Sequence, residues 1–242
     1  VNQTAGTGTS AWSIRGVGFQ DYSTAASSTV GIYFDEVAFP YPVMATGQFF
    51  DVERIEVLKG PQGDLYGRNT TGGQVSFVSR KPTDTFEAGV TATYGNYETL
   101  EVEGFASGPF SDRVRGRLAF KTVQRFDGWQ ESLSRPGDKL GEMETYSVRG
   151  LLDVDVTDDL SLLLNVHYND DQSDSIANTP VDGTRFNQGS PLLPNVGPGQ
   201  IAFFQNSTIF SVNDNKAADW TNGPGNALRP QRDNQQYGVS AR

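Results

Sequence analysis

Between Phe86 and Asn169 one pattern recurs five times: about ten residues in which apolar and polar side chains alternate. Successive side chains of a strand point to opposite faces, so a period of two specifies a strand with one apolar face. In "FEAGVTATY", Phe86, Ala88, Val90, Ala92 and Tyr94 oppose Glu87, Thr91 and Thr93. In "ETLEVEGFAS", Leu100, Val102, Gly104 and Ala106 oppose Glu101, Glu103 and Ser107. In "RVRGRLAFKT", Val114, Leu118 and Phe120 oppose Arg115, Arg117 and Lys121. "TYSVRGLLDVDV" sets Tyr146, Val148, Leu152, Val154 and Val156 against Ser147, Arg149, Asp153 and Asp155. "LSLLLNVHYN" sets Leu160, Leu162, Leu164, Val166 and Tyr168 against Ser161, Asn165, His167 and Asn169. Runs of this length are what a strand needs to cross a bilayer obliquely.

A water-soluble sandwich alternates in the same way, so a secreted glycan-binding or adhesin module stays open as an alternative. The connections favour the membrane. "GPFSD" and "TDD" are tight turns, whereas "FDGWQESLSRPGDKLGE" and the stretch from Asp171 to Gln236 are long. Short turns at one end and long loops at the other are the asymmetry of outer-membrane barrels. Polar faces carrying Arg115, Arg117, Lys121, Arg149, Asp153 and Asp155 also suit a hydrated lumen better than a dry core. The stretch after Asp171 reads as a connector without secondary structure, and "QYGVSAR" as the start of another strand. Five or six strands leave an open edge in lipid, so the expectation is an incomplete barrel.

Composition removes other classes. There is no cysteine, hence no disulfide framework and no thiolate chemistry. A net charge of −10 argues against a nucleic-acid partner, which needs a basic face. Twenty-seven glycines and 24 Phe and Tyr residues (15 + 9) suit a β-rich chain with many turns. No apolar run is long enough for a membrane helix, which says nothing of a barrel.

Residues 1–82 have a different texture, that of a small mixed α+β domain, ahead of the strand-rich 83–242. Strands are expected at Gly31–Phe34 and Val37–Phe39, and around Val52, Arg54, Ile55 and Val57. A short helix is expected near Ala45–Phe50, and "QVSFVSRK" forms another strand ended by Pro82. The glycines between these strands imitate a nucleotide loop but fail its spacing. Gly63 and Gly67 are separated by three residues, and Arg68-Asn69 follows instead of Lys-Ser/Thr. Gly16-Val17-Gly18 has Asp21 where a dinucleotide fingerprint needs its third glycine. His167, the single histidine, reads as a lumen-facing polar side chain. Asp170, Asp171 and Asp174 lack the spacing of a calcium loop, and Glu101 and Glu103 share one strand face without forming a glycosidase pair. No catalytic constellation, metal site or cofactor is expected.

"SIRGVG" (13–18), "VGIYFDEV" (30–37) and "FFDVERIEVLKGPQGDLYGRNTTGGQVSFVSRKP" (49–82) resemble the plug domain of TonB-dependent outer-membrane receptors. The alternating segments after Pro82 resemble the first strands of their barrel. Asp64 and Gln74 depart from the small neutral or apolar residues usual at those places.

The resemblance implies a barrel of about 22 strands filled by an N-terminal plug. It implies no enzyme, but an importer of a scarce nutrient, most often a ferric siderophore, with glycans, cobalamin or haem as alternatives. Force would come from the inner-membrane TonB–ExbB–ExbD complex, and lipid would surround the barrel. Arg15 and Arg68, with Glu53 and Arg54, become candidates for latching the plug to the barrel, since plugs of the family are pinned by arginines through charge-assisted hydrogen bonds. Gly16, Gly60, Gly63, Gly67, Gly72 and Gly73 become structural turns. Tyr41, Met44, Trp129, Phe203, Phe204 and Trp220 become candidates for an outer vestibule, where aromatic rings can stack on a ligand.

Overall fold

The computed structural model describes residues 2–3, 10–18, 27–45, 47, 49–132, 137–174, 216–217 and 232–242. The N-terminal sheet contains β1 (Val30–Phe34), β2 (Val37–Ala38), β3 (Val52–Lys59) and β4 (Gly73–Ser79), in the spatial order β2-β1-β4-β3. β1 and β4 run parallel, so the chain between them must cross over. That crossover carries a 3-10 turn (Pro42–Ala45), β3 itself and a single helical turn, α1 (Gly63–Tyr66).

Among the described residues no helix is found near Ala45–Phe50. The helical turn there is the 3-10 turn Pro42–Ala45, and Gly47 adopts φ +78°, which no right-handed helix can continue. Val30, Ile32 and Phe34 of β1 and Val75 and Phe77 of β4 point to one face and form an apolar core with Phe39, Ala45, Trp12, Ile14 and Met44. Phe77 anchors it, with ring centroids 4.4 Å from Phe49, 6.1 Å from Trp12 and 6.2 Å from Phe34.

Gly16, Gly60, Gly67 and Gly73 adopt positive φ. At Gly73 a Cβ would lie 2.4 Å from the Leu58 carbonyl oxygen, so the turn there admits no side chain. Gly72 meets Val17 closely instead, where a Cβ would stand 3.0 Å from Cγ1. Gly63 opens α1 with free space around it, and nothing in its surroundings requires glycine.

The second sheet is an antiparallel meander of β5 (Glu87–Gly95), β6 (Thr99–Ser111), β7 (Val114–Arg125), β8 (Met143–Thr157), β9 (Leu160–Asp171) and β10 (Asn234–Ala241). β10 begins at Asn234, before the expected "QYGVSAR", because polar residues continue the ladder up to the Asp171↔Asn234 pair. The stretch expected to be a bare connector contains Lys216–Ala217. This pair lies parallel to Gln130–Ser132, which also pairs with Lys139–Leu140.

Among the described residues one face of this sheet is covered, and it is the polar one. Arg117, Ser147, Arg149, Asn165 and Asn169 are buried, while Phe86, Val90, Phe110, Leu118, Val166 and Val239 stand exposed on the other side. A sandwich would bury the apolar face, so the sandwich alternative fails. On the outward face Tyr94, Tyr146, Tyr168 and Tyr237 stand toward the long-loop end, and Phe86 and Phe110 toward the short turns. Apolar girdles flanked by aromatics are the lipid-facing pattern of a membrane barrel.

Candidate functional site

The antiparallel register stacks inward side chains in levels. One level holds Ser107, Arg117, Leu151, Asn165 and Ser240; the next holds Phe105, Ala119, Arg149, His167 and Gly238; the third holds Glu103, Lys121, Ser147, Asn169 and Gln236. His167 is thus on the inward face, as expected, its imidazole over Gly238, where a Cβ would lie 2.4 Å from Cε1.

Val43, Gly47, Phe50 and Asp51 of the N-terminal sheet's crossover meet these levels. Gln236 Nε2 donates to the Val43 carbonyl at 2.8 Å, and Ser147 Oγ lies 3.0 Å from the Gly47 carbonyl. Ser147 Oγ is also 2.7 Å from the fully buried Asn169 side chain, which packs so closely on Gly47 that a Cβ there would stand 1.9 Å from Oδ1. Arg149 Nη1 donates to the Phe50 carbonyl at 2.9 Å. Its guanidinium lies between two rings, 4.3 Å from the Phe34 centroid and 4.5 Å from that of Phe50.

Asp51 closes the series. Arg117 Nε donates to Oδ2 at 2.7 Å and Nη2 to Oδ1 at 2.5 Å, a bidentate pair with both side chains buried. The Asp51 amide donates to Glu103 Oε1 at 2.9 Å, and Arg117 stacks on Phe105 at 4.2 Å. Asp51 holds φ +50°, a left-handed conformation that aspartate tolerates better than most residues. Losing one partner of a buried pair leaves a bare charge and costs about 3–5 kcal/mol.

A second contact lies at the β1–β2 turn. Asp35 Oδ1 accepts the Ser79 amide at 2.8 Å and Oδ2 accepts Asn165 Nδ2 at 2.9 Å, so one carboxylate joins β4 to β9. Glu36 pairs with Arg242 at 2.8 Å on the surface.

These are not the residues expected to join the two sheets. Arg15 and Arg68 are exposed, and no carboxylate pairs with either among the described residues. Arg54 pairs with its strand neighbours Glu53 and Glu56 at 2.9 and 2.8 Å, all exposed, and its pKa is raised by the Glu56 hydrogen bond first and then by Glu53. The charge sense of the buried pair is reversed: its carboxylate, Asp51, belongs to the N-terminal sheet's crossover and its arginine, Arg117, to the wall. Arg117 and Arg149 were legible as polar-face residues, but their partners lie 66 and 99 positions away, which no periodicity reveals.

Among the vestibule candidates, Tyr41 is exposed, whereas Met44 packs on the apolar core. Trp129 is half-buried at the long-loop end, its indole against Gly141, where a Cβ would lie 2.4 Å from Cδ1. Phe203, Phe204 and Trp220 lie outside the described residues.

The family profile of the TonB-dependent receptor plug domain matches residues 1–74. Residues 1–74 are thus a plug domain of the TonB-dependent receptor type, and the chain as a whole matches a fragment of such receptors. It is 31% identical over 152 residues to the ferrioxamine receptor of Yersinia enterocolitica, covering 61% of this chain and 20% of that one. It is 29% identical over 120 residues to the ferripyoverdine receptor of Pseudomonas aeruginosa, covering 49% of this chain and 14% of that one. The chain thus spans a fifth or less of these relatives' length. The crystal structure of the ferric yersiniabactin uptake receptor of Yersinia pestis shares the fold with TM-score 0.60 at 24% identity, over 72% of this chain and 27% of that one. The N-terminal sheet is therefore the plug, and the six-stranded meander is an open portion of the receptor barrel.

Proposed function

We propose that the chain works as part of an outer-membrane receptor that imports a ferric siderophore or similar iron complex. The plug would divide from the barrel at about residue 82, after which Thr83 bonds to Ser107 of the first hairpin. The observation that carries this reading is the plug seated on the polar face of an otherwise inverted sheet. A wall with an apolar outside and a plugged, hydrated inside belongs to a gated pore. The names of the relatives, receptors for ferrioxamine and for ferripyoverdine, support an iron complex as the ligand. Ligand would be captured at the long-loop end, where Tyr41 and Trp129 offer exposed or half-exposed rings. TonB, with ExbB and ExbD, would supply the force that rearranges the plug.

The test is growth of an iron-starved strain whose only siderophore receptor is the intact protein, fed single ferric siderophores beginning with ferrioxamine. Rescue by at least one of them, lost when TonB is deleted, is the expected result. Rescue only by haem, cobalamin or a glycan would overturn the iron-complex reading.

A further inference from the structure

We infer that Arg117 and Arg149 are the positioning residues that seat the plug on this wall, acting chiefly on Phe50 and Asp51, and that Asp51 is the plug's own half of the latch. The inference rests on the plug-and-barrel reading and is independent of the imported ligand.

Between Val43 and Asp51 the plug meets five consecutive strands: Glu103 of β6, Arg117 of β7, Ser147 and Arg149 of β8, Asn169 of β9 and Gln236 of β10. Three of the plug's groups there are main-chain carbonyls, which cannot change with the side chain. Such acceptors fix where the segment lies. The Asp51–Arg117 pair supplies the charge: it is buried, bidentate and 2.5–2.7 Å in length. A buried pair resists separation because each partner would be left uncompensated in a low-dielectric site. Arg149 acts differently, since its guanidinium fills the gap between Phe34 and Phe50 while holding the Phe50 carbonyl. It therefore ties the plug's core, through Phe34, to the segment that rests on the wall. The exposed Arg15 and Arg68 make no such contact with these strands among the described residues.

The test uses the intact receptor in detergent, with hydrogen exchange read at residues 43–51 and barrel assembly read by heat-modifiable gel migration. Asp51→Asn keeps shape and left-handed tolerance but removes the charge; Arg117→Gln removes the cation. Each is expected to speed exchange across 43–51 at least tenfold while the barrel still assembles. The double variant should be no worse than the poorer single, because the neutral pair leaves no orphaned charge. Arg117→Lys, keeping charge but losing the fork, should fall between wild type and Arg117→Gln. Arg149→Met, which fills the same gap without a donor, should speed exchange at Phe50 and Asp51. Arg68→Ala should leave the segment unchanged.

Wild-type exchange in both Asp51→Asn and Arg117→Gln, or strictly additive effects in the double variant, would overturn the latch. Loss of barrel assembly in every variant, Arg117→Lys included, would also overturn it by making the pair a folding requirement. The expected exchange pattern without rescue by any ferric siderophore would leave the seat standing and remove the import reading.

Discussion

The plug and the wall solve burial in opposite senses. The plug encloses Val30, Ile32, Phe34, Val75 and Phe77, as a water-soluble domain does, and the exposed Glu53, Arg54 and Glu56 lie outside that core. The wall exposes its apolar face, Tyr237 at 85% and Phe86 at 78%, and buries Arg149 at 1% and Asn169 at 0%. The same alternating pattern can serve either of two solvents. Where the surroundings are water, the apolar side turns in; where they are lipid, it turns out, and the polar side needs partners of its own. The plug supplies those partners largely from backbone carbonyls and two carboxylates, Asp35 and Asp51.

The largest expected effect lies inside the plug. Phe77→Ala removes a ring packed against three others and should cost about 3–5 kcal/mol of plug stability. Hydrogen exchange of β1 and β4 should rise while barrel assembly is unaffected. Wild-type exchange there would mean that the plug has no core of its own.

A charge on the wall's outer face gives the next effect. Leu118 is 56% exposed, so in a water-soluble sheet Leu118→Arg would be nearly silent. In lipid it should cost about 2–4 kcal/mol, read as a lower midpoint for folding into bilayers. An unchanged midpoint would place that face in water.

Where the two regions touch, Gly47→Ala combines positive φ with a clash on Asn169 and should cost about 1–3 kcal/mol. The loss should be localised to exchange at residues 43–51. On the plug's far surface, Arg54→Ala removes two exposed ion pairs and should leave the thermal midpoint within error of wild type. A clear drop would show that β3 is covered in the intact receptor.

A small, pH-dependent effect concerns Tyr33, whose hydroxyl donates to the Tyr66 carbonyl at 3.0 Å and whose pKa is raised by burial first and by Tyr66 second. A raised phenol favours the protonated folded state. Its contribution is therefore complete below pH 10 and lost as pH climbs through the folded value. Tyr33→Phe should remove that alkaline sensitivity from the plug's unfolding midpoint.

Much of the wall was legible beforehand because its physics is local. Alternation at residues 86–169 assigns each side chain to a face by geometry alone, and the tight turns set which strands are neighbours. Strand positions in the plug followed from the same reasoning, and the misplaced helix at Ala45–Phe50 shows its limit. A glycine with φ +78° looks no different in sequence from any other.

What only the tertiary structure decided is which charge meets which. Arg117 could be assigned to the lumen, but its partnership with Asp51 depends on how the crossover segment lies across five strands. The expected arginine latch at Arg15 and Arg68 followed from residue type beside tight turns, and residue type does not determine depth. Among the described residues those two are exposed, while arginines read only as lumen-facing make the contacts between the two sheets. Side-chain direction is set within a few residues of chain; a buried ion pair is set by the meeting of surfaces far apart in it.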